Sequence, residues 1–356
     1  MTGPKERLAT VAGRVALTFA LSLAGGSVAQ LFGLPAAWLL GGTVAVATAA
    51  IAGLRIGFPP LVTEFIFIGT GLTMGASVAR DSLALIGLWP VTIAALAIEV
   101  VLIILVTGWL TRKLFGLDRG TAYLSAFPGQ LNLVMTMAAA GVGNPRQIVI
   151  MQMMRLMMLT VAVPLGALVL PVGHYLVPQE IAEIPWTRLG LTYLLCAGAG
   201  FLFSRLRVPA PFALGAMAMA TTLKLTGHFD GRLPPLLVIF LFSAMGGVIG
   251  SRFVGITRRE MQAAAVSGVI GTFITMAVVT AVAFAASLIV AVPFGQIWLG
   301  LSPGALESMG ALGIALGFDT AFIAAHHVMR ILLLSFAIPA VALLVREPSA
   351  DRQNAG

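Results

Sequence analysis

The sequence predicts an all-α polytopic membrane protein. It is read as two inverted repeats of five transmembrane helices, each with a Pro-Gly-broken re-entrant or discontinuous segment. Three observations lead there. The 356 residues are 59% hydrophobic and only 10% charged, with a mean hydropathy of +1.02, whereas soluble domains carry about 25% charged residues. Apolar runs near the length of a bilayer crossing recur from end to end. Finally, FPGQLNLVMTMAAAGVGNPRQIVIMQMMRLMMLTVAVP (Phe127 to Pro164) returns as SPGALESMGALGIALGFDTAFIAAHHVMRILLLSFAIP (Ser302 to Pro339). A shift of 175 positions places Pro128 on Pro303, Gly129 on Gly304, Arg155 on Arg330 and Pro164 on Pro339.

In chain order, spans are expected at 10–33, 35–53, 59–79 and 84–111, followed by a broken segment at 120–142 and a span at 147–172. The second half follows with 188–204, 209–226, 234–254 and 261–291, a broken segment at 297–317, and 320–345. The first span resembles a signal peptide, but Arg14 interrupts it and further spans follow, so it is expected to stay uncleaved. The second spans match through GLPAAWLLGG (Gly33 to Gly42) and RVPAPFALGA (Arg207 to Ala216). The third match through FPPL and LPPL, and through Gly71-xxx-Gly75 and Gly246-xxx-Gly250. Small residues four apart let helix backbones approach closely in lipid, so these glycines read as packing.

Orientation follows from charge. With the N-terminus cytoplasmic and each broken segment returning to its own side, fifteen of the twenty-one Lys and Arg fall inside, including Arg146, Arg252, Arg258 and Arg259. Only Arg80, Arg188, Lys224 and Arg232 fall outside. Each half then crosses five times, and an odd number inverts the second half. The parts are a first repeat at 1–173, an external linker at 174–187, a second repeat at 188–346 and a disordered cytoplasmic tail at 347–356. Inverted repeats with broken helices meeting near the midplane are a recurrent secondary-transporter plan.

The candidate site lies where these breaks meet. Irregular backbone in hydrocarbon must be buried in protein or line a wet cavity, so Gly129 and Gly304 are expected beside one. Proline at a first helical position, capped by Ser302, would free helix N-termini suited to an anion. Arg155 and Arg330 sit about ten residues into their spans, near mid-depth. Their guanidinium groups need a carboxylate, carbonyls or an anionic ligand. For Arg330 an internal salt bridge with Glu307 stands equal to ligand binding. Gln152 and His327, three residues earlier, share those helix faces. The first half offers neutral Asn132 and Gln152 where the second has Glu307 and His327. Any proton coupling is therefore expected at Glu307, with His326 or His327 assisting. Glu99 and Glu64 rank after Glu307, because Ile274 and Ile239 occupy the matching positions. Asp319 reads as a helix cap, and Met151, Met153, Met154, Met157 and Met158 as core.

Other classes are disfavoured. Adjacent His326 and His327 point about 100° apart on a helix and do not share a metal easily. No phosphate-binding or dinucleotide fingerprint is present, so no enzyme, cofactor or metal is expected. No cytoplasmic stretch is long enough to read DNA, so direct nucleic-acid binding is not expected either. The lone Cys196 excludes an intrachain disulfide.

The paired LPAxxLLG-like blocks and the paired PG-to-R-to-P blocks, above all SPGALESMGALGIALGFDTAFIAAHHVMRIL, resemble the AbrB duplication family of bacterial membrane proteins. The first half carries Gln130 and Asn132 where the family pattern has a small residue and a glutamate. The resemblance implies a bacterial inner-membrane protein of this size and duplicated build. Family names point to gene regulation or ammonia oxidation. The expectation is a secondary transporter for a small solute, an anion given two arginines, with proton coupling in the second half. A membrane sensor that affects expression through a partner is the alternative. Both termini are expected in the cytoplasm, the expected partners are the solute and the bilayer, and a homodimer is compatible with the sequence.

Overall fold

The computed structural model describes residues 4–78, 87, 89–129, 131–139, 141–170, 183–229, 231 and 233–345. The described chain is all-helical. Helices α1 (Pro4–Leu31), α2 (Ala37–Ile51) and α3 (Pro60–Ser77) open it. Next, α4 (Trp89–Leu102) continues through a π-helical turn (Ile103–Thr107) into α5 (Gly108–Phe115). Two short helices, α6 (Arg119–Ala126) and α7 (Leu131–Ala139), precede α8 (Pro145–Val169). The second half runs α9 (Trp186–Arg205), α10 (Pro211–Leu225), α11 (Pro235–Ser251) and α12 (Arg258–Ser287). The short pair α13 (Phe294–Leu301) and α14 (Leu306–Leu316) then precedes α15 (Thr320–Val345). Both expected broken segments are thus pairs of short helices. The linker up to residue 182 and the tail at 347–356 lie outside the described residues.

Among the described residues, four helices are long and apolar enough to cross a bilayer: Thr10–Leu31, Trp89–Phe115, Pro145–Val169 and Ala264–Ser287. Ala37–Ile51, Pro235–Ser251, Leu306–Leu316 and Thr320–Ser335 are apolar but shorter. Bulky apolar side chains stand exposed on the outer helices, among them Ile98, Trp109, Leu194, Phe201 and Phe273, as a lipid-facing surface requires. The interior holds threonines, serines and both mid-span arginines.

Local backbone repeats as the sequence does. Ala36 and Ala210 enter α2 and α10 in the left-handed conformation (φ 49° and 44°), and Pro59 and Pro234 cap α3 and α11. The halves also exchange partners, since α2 packs on α11 and α3 on α10. Glycine permits both contacts. A Cβ on Gly246 or Gly250 would stand 2.7 Å from the carbonyl oxygen of Leu39 or Thr43. A Cβ on Gly71 or Gly75 would stand closer still to the carbonyl oxygen of Ala213 or Met217. The packing expected of these glycines is therefore made between halves rather than within them. Met151, Met153 and Met154 fill a core cluster with Val46, Ile56 and Phe253.

Candidate functional site

The two breaks arise from one local rule. A residue before proline is driven out of the α region into extended backbone. Phe127, before Pro128, has ψ 118°, and Ser302, before Pro303, has ψ 127°, so α6 and α13 end there. The next residue turns back sharply: Gly129 N–H donates to Phe127 O (3.0 Å) and Gly304 N–H to Ser302 O (2.9 Å). Gly129 needs φ 135°, open only to glycine, while a Cβ on Gly304 would meet Met309.

A helix ending inside the protein leaves its last carbonyls without partners. The mid-span arginines satisfy them. Arg155 on α8 donates through Nη1 to Ser125 O and Ala126 O, both at 3.2 Å, and through Nη2 to Phe127 O at 2.9 Å. Gln152, one turn earlier, donates Nε2 to Leu124 O at 3.0 Å. At the shifted positions, Arg330 on α15 donates Nη1 to Ser302 O (2.9 Å). Its Nη2 donates to Gly300 O (3.0 Å) and Leu301 O (2.5 Å). Each planar guanidinium fork thus closes a helix C-terminus, the negative end of the helix dipole. Of the three partner types the sequence allowed, carbonyls are the ones present. Both Nε atoms are buried and have no partner.

Three expectations change here. Ser302 does not cap the following helix; it ends α13 and its Oγ donates to Trp298 O (2.7 Å). Pro303 lies in the gap, and α14 begins at Leu306 after Ala305. The N–H groups of Gly129 and Gly304 are engaged in the turn, and Glu307 already occupies the first turn of α14, where an anion was expected. No ion pair joins Glu307 to Arg330 among the described residues. Glu99 is fully buried and neither of its oxygens has a partner. Its lack of a counterpart at Ile274 ranked it low, yet that asymmetry was the available signal. Asn132 lies on α7, but its side chain falls outside the described residues, as does Gln130.

The histidines face different ways. His326 stacks on Phe322, with ring centroids 4.0 Å apart, and its Nε2 lies 2.7 Å from Thr92 Oγ1 on α4. Its Nδ1 is 2.8 Å from Phe322 O, and His327 Nδ1 is 2.9 Å from Ile323 O. Carbonyls only accept, so both Nδ1 atoms carry protons. Asp319 accepts from Ala321 N–H (2.9 Å), as a cap does. Among the described residues, no three His, Cys, Asp or Glu side chains gather as a metal site would need.

One small cavity adjoins the first arginine. Arg155, Ser125 and Met151 form one wall, Thr107 and Thr111 another, and Gly268, Gly271, Thr272 and Thr275 of α12 a third. It has room for about one water-sized guest. The π-helical turn ends at Thr107 on its rim, and such turns recur at functional sites.

A family model described as transition state regulatory protein AbrB matches residues 38–346. "Uncharacterized protein YhjN" of Bacillus subtilis (strain 168) is 21% identical over 370 residues, covering 94% of each chain. "Putative regulator AbrB" of Escherichia coli (strain K12) is 24% identical over 320 residues, covering 88% of this chain and 90% of that one. The chain belongs to the AbrB family.

Proposed function

We propose that this AbrB-family chain is a secondary transporter for a small solute, with its site between two five-crossing repeats of opposite orientation. One observation carries the reading: two interrupted helices at equivalent positions, each closed by a buried arginine. Backbone of that kind at membrane depth is kept where it is buried in protein or lines a wet cavity, and paired breaks of this sort recur at transporter sites. Contacts support the orientation, because groups assigned to one side by charge lie together. Arg146 meets Glu260 beside Arg258 and Arg259, Lys224 reaches Ala76 at the end of α3, and Gly57 lies against Ser251. On this reading the protein lies in the bacterial inner membrane with both termini cytoplasmic and moves its solute without converting it. Glu99 joins Glu307, His326 and His327 as a group able to carry a proton.

The regulatory name of the E. coli relative favours a second reading, a sensor that binds solute and signals to a partner. Reconstitution decides between them. Solutes that raise the melting temperature of the purified protein are offered to proteoliposomes. A transporter accumulates at least one, and a proton-coupled one responds to an imposed pH gradient. Binding without uptake, across every stabilising solute, overturns the transport reading in favour of the sensor.

A further inference from the structure

The two arginines do the same work in different surroundings. Capping a helix end supplies about half an elementary charge of opposite sign, so each guanidinium keeps a residual positive charge in a dry interior. Helix α4, which packs on the helix of Arg330, carries the buried Glu99. The position equivalent to Glu99 is Ile274 on α12, which packs on the helix of Arg155. No carboxylate pairs with Arg155 among the described residues. The α12 wall facing Arg155, on either side of Ile274, holds the small cavity.

We propose that this cavity binds a monovalent anion of about halide size, held against the buried guanidinium of Arg155. Two buried donors without partners serve it, Arg155 Nε–H and the Ser125 hydroxyl, and both residues line the cavity. The threonines contribute polar walls rather than donors. Thr111 donates to Thr107 O, Thr272 to Gly268 O and Thr275 to Gly271 O. The Thr107 proton is therefore left for Thr275 Oγ1 at 3.3 Å. Two donors and an uncompensated guanidinium favour a charged guest over a neutral one. The size excludes a phosphate or a dicarboxylate. The site stands whether or not the protein moves solute, since it is a matter of binding alone.

The test uses the full chain in detergent, with potassium bromide titrated against potassium gluconate at constant ionic strength. Binding to the folded state raises the melting temperature in a saturable way, in bromide and not in gluconate. Crystals grown in bromide then show an anomalous peak between Arg155 Nε and Ser125 Oγ. Ser125→Ala weakens the half-saturating bromide concentration by about tenfold. Ile274→Glu, which restores the second half's arrangement, abolishes the bromide response. If Ile274→Glu fails to fold, the Ser125→Ala ratio decides. The proposal is overturned by a wild-type protein with no saturable bromide response, by a response that Ser125→Ala leaves unchanged, or by an ordered water where the peak is expected.

Discussion

The break at Pro128 and the break at Pro303 share a backbone and differ in surroundings. In both, extended backbone before proline stops a short helix, and a guanidinium fork from a helix about thirty residues later closes it. Around Arg155 lie four threonines, a serine and a cavity; beside Arg330 on α15 lie two histidines, one of them bonded to Thr92 of α4, the helix that also buries Glu99. The buried helix ends impose the same demand twice, because unpaired carbonyls in the interior are costly wherever they occur. Nothing imposes the neighbours, and there the copies have parted. The arginines are first of all structural, and any specificity has to reside in what surrounds them.

The strongest way to break this comparison is to remove one arginine. Arg155→Ala and Arg330→Ala each leave three carbonyls exposed to a dry interior, a cost on the order of 5 kcal/mol. We expect both proteins to lose the monodisperse peak in size-exclusion chromatography. Lysine, a point charge without the fork, should rescue neither fully. A well-folded variant at one position alone would show that only the other copy needs its cap. Gly246→Leu comes next. It drives a side chain into the Leu39 carbonyl where the halves exchange helices, and we expect a fall of about 2 kcal/mol or more in stability. Gly71→Leu, its counterpart, should fall by a similar amount in thermal melts if the exchange is symmetric.

A subtler variant sharpens the contrast. Glu99→Gln removes the buried carboxyl on the helix packed against that of Arg330 and makes the second half resemble the first. We expect it to gain a bromide-dependent rise in melting temperature beyond that of the wild type, the mirror of the loss expected for Ile274→Glu. An unchanged bromide dependence would mean that Glu99 does not serve Arg330 as its counter-charge.

How much of this the sequence disclosed depended on whether the physics was local. The breaks were legible because proline acts on the residue before it, so segments 120–142 and 297–317 both emerged as paired short helices. The Arg155 and Arg330 positions were legible as costly charges, and carbonyls were among their allowed partners. What closed the choice was the thirty-residue return of α8 onto α6 and of α15 onto α13, a distance over which sequence spacing carries no geometry. Ser302 was assigned to the wrong helix for a related reason. A serine beside Pro-Gly suits the start of one helix or the end of another, and only the turn at Gly304 distinguishes them. Glu99 is hidden from repeat symmetry because Ile274 stands at its matching position, and only the packing of α4 on α15 across the repeat boundary brings it to the second half.

The smallest expected effect lies where the halves touch outside the membrane-spanning segments. Arg146, at the start of α8, forks onto Glu260, with Nε–Oε1 at 2.6 Å and Nη2–Oε2 at 2.9 Å. Glu260 also accepts from the Thr257 N–H and hydroxyl in a capping box that starts α12. The Arg146 hydrogen bonds, followed by those from Thr257, hold the Glu260 carboxyl down at about 2. A carboxyl lowered by folding stabilises the folded state above its ordinary titration range. That contribution shrinks as the pH falls below about 4.5 and is gone once it passes about 2. Both groups are exposed, so water and salt screen the pair and the effect is small. Glu260→Gln should therefore lower the melting temperature slightly at neutral pH and flatten its decline between pH 4.5 and 2, more clearly at low salt. Arg146→Glu with Glu260→Arg should recover part of the loss that either change causes alone. Without that recovery, the two halves would not meet through this pair, and the shared face on which the proposed orientation relies would lose one of its supports.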